Sequence, residues 1–140
     1  MPKYSKASKS RLASCHEDLQ VLFNEVIKYI DVSIICGLRG QEAQDRAFSD
    51  GLSKVKFPNS KHNKLPSEAV DAVPYPIDWK NTPRMRFFAG IILGIAIMLK
   101  KQGKMKNCIR WGGDWDSDTD LNDQRFNDLP HFEIADRRIY

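Results

Sequence analysis

Residues 60–74 read Ser60-Lys-His-Asn-Lys-Leu-Pro-Ser-Glu-Ala-Val-Asp-Ala-Val-Pro74. The segment Ala69-Val-Asp-Ala-Val73 has the short, apolar, β-branched character of a strand, and Pro74 and Pro76 close it. Asp71 sits at its centre, and an ionised carboxylate is expensive to bury unless it is paired or coordinates a metal. His62 precedes Asp71 by nine residues. What Asp71 faces, and whether His62 faces the same thing, decides how the sheet is built and what it is for.

Outward from this strand the chain punctuates itself clearly. Upstream, residues 52–68 form a long loop with Pro58 and Pro66, of a length that is often functional in a compact domain. Before it, Gln41 to Ser49 reads as a polar-faced helix stopped by Gly51. Gly37-Leu-Arg-Gly40 is a turn, and Val32 to Cys36 (VSIIC) is a strand. Ser10 to Ile30 has a helical period, with Leu12, Leu19, Leu22, Phe23, Val26, Ile27 and Ile30 on one broad apolar face. Downstream, Thr82-Pro83 opens a helix with proline in its first turn. This helix runs to about Gln102 and stops at Gly103. Its middle is apolar on nearly every side, so it is expected to be the central core helix. Ile109 to Trp111 is a third strand, Asp114 to Asp128 an acidic loop, and His131 to Ile134 a fourth strand. The last six residues, 135–140, are charged and expected to be loose. Helices mixed with short strands predict an α+β fold: one domain over 1–140, with its core at about 10–134 and no separate binding domain. A small antiparallel sheet would pack against two or three helices.

The bulk composition narrows function only slightly. A chain of 140 residues that is 41% hydrophobic and 29% charged is an ordinary globular one. The net charge of +4 suits an anionic partner, whether wall polymer, membrane surface or nucleic acid. Three cysteines, Cys15, Cys36 and Cys108, make an odd set without a CxxC pattern. They argue against a disulfide framework and for synthesis in a reducing compartment. Each reads as a small core residue rather than a metal ligand. The basic N-terminus has no apolar stretch behind it, so no signal peptide is expected. The apolar run from Phe87 to Leu99 is short of the roughly 20 residues of a spanning helix, and no transmembrane segment is expected.

The chain has three histidines, His16, His62 and His131. His16, beside Glu17 and Asp18, reads as a solvated surface residue. His62 goes with Asp71, and His131 lies between Asp128 and Glu133. Two imidazoles and one carboxylate make a three-ligand zinc set that leaves a fourth position open, as in catalytic sites, with bonds of about 2.0–2.2 Å. Such a site also needs a carboxylate that is not a ligand to move the proton; Asp128 and Glu133 are the local candidates. The spacing alone leaves other readings open: Asp71 bonded to a backbone N–H, and His131 as a satisfied core histidine.

The set Ser60-Lys-His62, Ala69-Val-Asp71 and Asp128-Leu-Pro-His131-Phe-Glu133 resembles the zinc D-Ala-D-Ala carboxypeptidase and L-alanyl-D-glutamate peptidase family, which includes small phage endolysins. Gly37-Leu-Arg39 followed by Gln41 or Gln44, Val73-Pro74 after the Asp, and Trp111-Gly-Gly-Asp-Trp115 also look like segments of that family. They come in its order and cover roughly residues 12–134. One departure is the longer connection between His62 and Asp71, where Leu65-Pro66 stands and the family's frequent glycine is missing. A longer loop costs little entropy.

The resemblance implies one zinc ion held by His62, Asp71 and His131. It implies Asp128 as general base and then acid, with Glu133 as the runner-up or as a partner that orients a ligand histidine. Arg39 would steady the substrate oxygen, and Ser60 would hydrogen-bond near metal or substrate. Trp111 and Trp115 would wall the cleft or fill the core. A calcium ion on Asp114, Asp116, Asp118 and Asp120 is the lesser reading of the acidic loop: Thr119 and Arg125 stand where an EF-hand needs Gly and Glu. The implied function is a zinc peptidase of bacterial peptidoglycan stems, an endolysin cutting L-Ala–D-Glu, with D-Ala-D-Ala carboxypeptidase as the alternative. It would be a monomer, made in the cytoplasm and reaching the wall once the membrane is breached, with no nucleic-acid partner. The rival of another class is a non-catalytic basic binding protein for wall or nucleic acid.

Overall fold

A computed structural model describes residues 2–136. The elements are α1 (Lys6–Ala13), α2 (Glu17–Val26), β1 (Val32–Cys36), α3 (Gln41–Ser49), a 3-10 turn at Lys61–Asn63, β2 (Ala69–Pro74), α4 (Thr82–Lys101), β3 (Cys108–Trp111) and β4 (His131–Ala135). The strands form one antiparallel sheet in the order β1-β2-β4-β3. The architecture is α+β, as the sequence predicts. Of the expected loose tail, residues 137–140 lie outside the described residues.

The period-two alternation of the strands gives the sheet two unlike faces. Val32, Ile34, Val70, Ala72, Ile109, Trp111, Phe132 and Ile134 belong to the buried core. Phe132 is its hinge-point: its ring meets Phe23 of α2 edge-on at 5.9 Å and Phe88 of α4 at 6.5 Å. The register pairs Cys36 with Asp71, Asp71 with His131, and both Ala69 and Arg110 with Glu133. Residues directly opposite in an antiparallel pair share a face, so these polar groups form a row across the side away from the core. Asp71 is therefore on an apolar strand without being in the apolar layer.

The single long helix expected over Ser10–Ile30 is two helices. Residues 14–16 leave the helical path to pair with the loop before β2: the His16 N–H donates to Ser67 O at 2.7 Å and the Ser67 N–H to Ser14 O at 2.9 Å. His16 is consequently not a free surface residue. It caps α2, its Nδ1 accepting the Asp18 N–H at 3.0 Å. Helix α1 covers the outer edge of β1, where Ser8 Oγ accepts the Ile34 N–H and Arg11 donates to Ile34 O. That satisfies an edge strand's open backbone groups.

Helix α4 starts at the Asn81 cap, with proline in its first turn, and ends before Gly103, whose φ is +77°. It buries only one side, through Met85, Phe88, Ala89, Ile92, Ala96 and Leu99. Phe87 is 70% exposed, and Ile97 and Met98 are also exposed. The expectation of a central core helix is thus corrected in part: α4 packs one side on the sheet and α2 and keeps the other to solvent. At 20 residues it is long and apolar enough by length and composition to cross a membrane, with a third of its apolar window packed inside the domain.

Candidate active site

The face of the sheet away from the helical core opens into a cleft of about 660 Å³. His62, Asp71, Asp128, His131, Glu133, Arg39, Ser60 and Trp115 all line it, so the structure brings together eight of the nine residues singled out from sequence. The exception is Trp111. It is buried in the core, its indole N–H donating to Leu129 O at 2.7 Å, because its place in β3 puts it on the Phe132 side of the sheet.

His62 enters from the 3-10 turn. Ser60 caps that turn, its Oγ accepting the His62 N–H at 3.2 Å while Asn63 returns a bond to the Ser60 N–H. Ser60 thus sets the backbone that carries His62. The ring's Nδ1 lies 2.7 Å from Gly37 O, and its Nε2 lies 3.2 Å from Asp71 Oδ1. Gly37 must be glycine for close approach: a Cβ there would stand 2.3 Å from Arg11 O. The long His62–Asp71 connection is tied down by Ser67, fully buried, whose Oγ reaches Gly37 O and Ala69 O. The glycine missing from this loop is not needed for its closure.

His131 leads β4. Its Nε2 lies 2.8 Å from Glu133 Oε1 and its Nδ1 lies 3.3 Å from the same Asp71 Oδ1 that His62 approaches. Glu133 is also held by Arg110 at 2.6 Å and Lys61 at 3.3 Å. Asp128 Oδ2 stands farther off, 3.8 Å from His131 Nδ1. The Trp-Gly-Gly segment holds the Asp128 backbone: Asp128 N–H donates to Gly112 O at 2.8 Å, and a Cβ on Gly112 would meet Asp128 O at 2.2 Å. Arg39 pairs with Asp71 Oδ2 at 3.3 Å and donates to Gln44 Oε1 at 3.1 Å. Gln44, fully buried, accepts from Asn63 as well and donates to Ser53 Oγ and Val55 O. Of the two glutamines read after Arg39, it is Gln44 that ties helix α3 to the site.

The electrostatics follow from this packing. Burial alone would raise the Asp71 carboxyl, but the two imidazoles outweigh it and hold Asp71 well below the usual carboxylate range. Burial would lower His62, yet Asp71 and Cys36 lift it to about 10. His131 is raised against its burial by Asp71 and Glu133. Glu133, which burial would raise, is pulled down to about 2 by His131 and Arg110. Asp128 behaves oppositely: burial pushes it up to about 6, and the nearby cations only partly offset that. The two candidate carboxylates are therefore driven apart by their surroundings.

The structure adds residues that the sequence reading passed over. Trp79 and Phe126 line the cleft; Phe126 stacks on Trp115, which in turn lies 5.4 Å from the His131 ring. Cys36, read as core filler, also lines the cleft, whereas Cys15 is buried as expected. In the acidic loop, carboxylate oxygens of Asp114, Asp116 and Asp118 lie within 4.8 Å of one another. Asp114 turns inward to accept the Asp118 and Thr119 N–H groups.

No curated protein matches the chain. Among solved structures, the L-Ala D-Glu endopeptidase ChiX of Serratia marcescens superposes with a TM-score of 0.67 at 24% identity, covering 95% of this chain and 90% of that one. At that identity the likeness establishes the fold. A model of phage L-alanyl-D-glutamate peptidases matches residues 1–135, a span that includes every residue of the cleft, and the chain therefore belongs to that family of peptidoglycan peptidases.

Proposed function

We propose that the chain is a zinc-dependent endopeptidase that cuts the L-Ala–D-Glu bond of peptidoglycan stems. The observation that carries the metal is the orientation of the two imidazoles. Each has one ring nitrogen engaged by an acceptor, Gly37 O or Glu133 Oε1, and aims the other at Asp71 Oδ1. Metal-ligating histidines have this arrangement, with the outer acceptor fixing tautomer and ring. The donor set of two nitrogens and one carboxylate oxygen fits zinc, and Asp71 already draws positive charge to that point.

Zinc held by His62, Asp71 and His131 would polarise a peptide carbonyl and acidify a water. The chain's own residues supply the rest. Asp128 lines the cleft beside His131 without the clamp of cations that immobilises Glu133, so Asp128 takes the proton and returns it to the leaving amine. Glu133 orients His131. Arg39 brings its guanidinium to the cleft wall and steadies the oxygen on which charge develops. Arg39 and Lys54 in the lining favour the carboxylates of a stem peptide. We place such an enzyme, as a monomer, in the cytoplasm until the membrane is breached. Buried, converging donors are not needed by a merely basic binding protein.

Purified protein incubated with peptidoglycan should release new D-Glu amino termini, detected by mass spectrometry. The release should stop on chelation and return with zinc. Free D-Ala would make the enzyme a carboxypeptidase, and chelator-resistant release would remove the metal from the reaction. Glu133→Gln should keep the peptide fold and lower zinc affinity by about 10–100-fold, the usual effect of losing the acceptor behind a ligand histidine. Unchanged affinity by competition with a chromophoric chelator would show that Glu133 does not orient His131.

A further inference from the structure

Strand β1 is irregular where it passes the site. Its register with β2 runs Ile34↔Ala72 and then Cys36↔Asp71, with a bulge between Ile34 and Cys36. Two residues therefore oppose one, and a bulge of this kind re-aims side chains beside active sites. Both Ile35 and Cys36 line the cleft, and Cys36 is the one paired opposite Asp71. The register thus runs Cys36, Asp71, His131 across three strands on one face. Donor atoms of Cys36, His62 and Asp71 all lie within 4.8 Å of one another, and so do those of Asp71, Asp128 and His131. Asp71 is common to both groups. The Cys36 thiol makes a long contact to Gly37 O, at 3.6 Å, lies beside the His62 imidazole, and forms no disulfide.

We propose that Cys36 is a further protein donor to the metal held by His62, Asp71 and His131, a thiolate arm that fills the fourth position at rest and yields it to water or substrate. The inference rests on the zinc reading and extends it. Two donors bonded at about 2.1 and 2.3 Å to one tetrahedral zinc stand roughly 3.6 Å apart. The Cys36, His62 and Asp71 donors lie within 4.8 Å of one another, so the sulfur has about 1 Å to close against those two, a shift that a bulged strand end absorbs. Ligation exchanges the thiol S–H bond for a metal–sulfur bond, and the proton leaves to solvent. A thiolate beside imidazole and carboxylate makes the site softer, so it should take thiophilic divalent ions. With three other protein donors in place, sulfur competes with water or substrate for the one position left open.

The test uses the full chain stripped of metal and titrated with Co²⁺. Cobalt bound by nitrogen and oxygen gives visible ligand-field bands, whereas a thiolate ligand adds a near-ultraviolet sulfur-to-metal charge-transfer band. Wild-type protein should show both. Cys36→Ser should keep the visible bands and lose the near-ultraviolet band, whereas Cys15→Ser and Cys108→Ser should keep both. Visible bands without the charge-transfer band in wild type, or a band that survives Cys36→Ser, would overturn the role of Cys36 and leave the metal site standing. Folded wild-type protein that binds no Co²⁺ would overturn the zinc reading itself, and the thiolate arm with it. Should Cys36→Ser not fold, a charge-transfer band that survives both Cys15→Ser and Cys108→Ser assigns the sulfur to Cys36, and loss of the band in either overturns that assignment.

Discussion

His131→Ala is expected to lose bound zinc and, with it, all release of stem peptides. The imidazole is nearly buried and stands between two carboxylates, with Asp71 Oδ1 at 3.3 Å and Glu133 Oε1 at 2.8 Å. Its removal would delete one of the three proposed ligands and leave those carboxylates facing each other across an empty space. Losing an acceptor behind a ligand costs about 10–100-fold in metal affinity; losing the ligand should exceed that. The charges left unpaired also cost stability, by about 3–5 kcal/mol where a buried pair is broken. Circular dichroism must therefore accompany elemental analysis. Phe132, next in sequence, keeps its packing between Phe23 and Phe88, so the fold should persist at moderate temperature. Full zinc content in folded His131→Ala would overturn its assignment as a ligand. His62→Ala should behave alike, with the added loss of the imidazole bond to Gly37 O, which Ser67 Oγ still holds.

Asp128→Ala should separate metal binding from catalysis. The backbone bonds that fix this residue, from its N–H to Gly112 O and from the His131 N–H to its own carbonyl, do not involve the side chain. Its carboxylate stands 3.8 Å from His131 Nδ1, beyond a hydrogen bond. Zinc content should therefore stay near one per chain, while kcat falls by about 10²–10⁴, the range for a lost general acid–base. A variant with wild-type kcat would take Asp128 out of the proton path and return attention to Glu133. Glu133 starts from a weaker position: Lys61, Arg110 and the His131 ring grip it, and a carboxylate so held serves poorly as a proton carrier.

Much of the fold was legible because its signals are local. Strand β2 announced itself by β-branched residues and flanking prolines, α3 by its stop at Gly51, and α4 by Thr82-Pro83 and Gly103. The boundary between α1 and α2 was not legible, because the helical period continues through Leu12 and Leu19 while the interruption is made by Ser67, some fifty residues away. The exposure of Phe87, Ile97 and Met98 was hidden for a related reason: an apolar side chain does not state whether a second layer covers it. His16 was misread as free because its cap is a bond from its own ring to a neighbouring N–H, which composition does not reveal.

The sequence alone determined the strands, the histidine and carboxylate candidates and the family resemblance, because these rest on residue type, order and short-range periodicity. Tertiary structure decided which side of the sheet each residue serves. Trp111 went to the core and Cys36 to the cleft through strand register and one bulge. Gln44, not Gln41, became the post behind Arg39 through the way α3 docks. These are choices of face, and a face exists only once strands have paired. A shift of one residue turns every side chain over, so the assignments that matter most for chemistry are those that a single chain, read in order, does not contain.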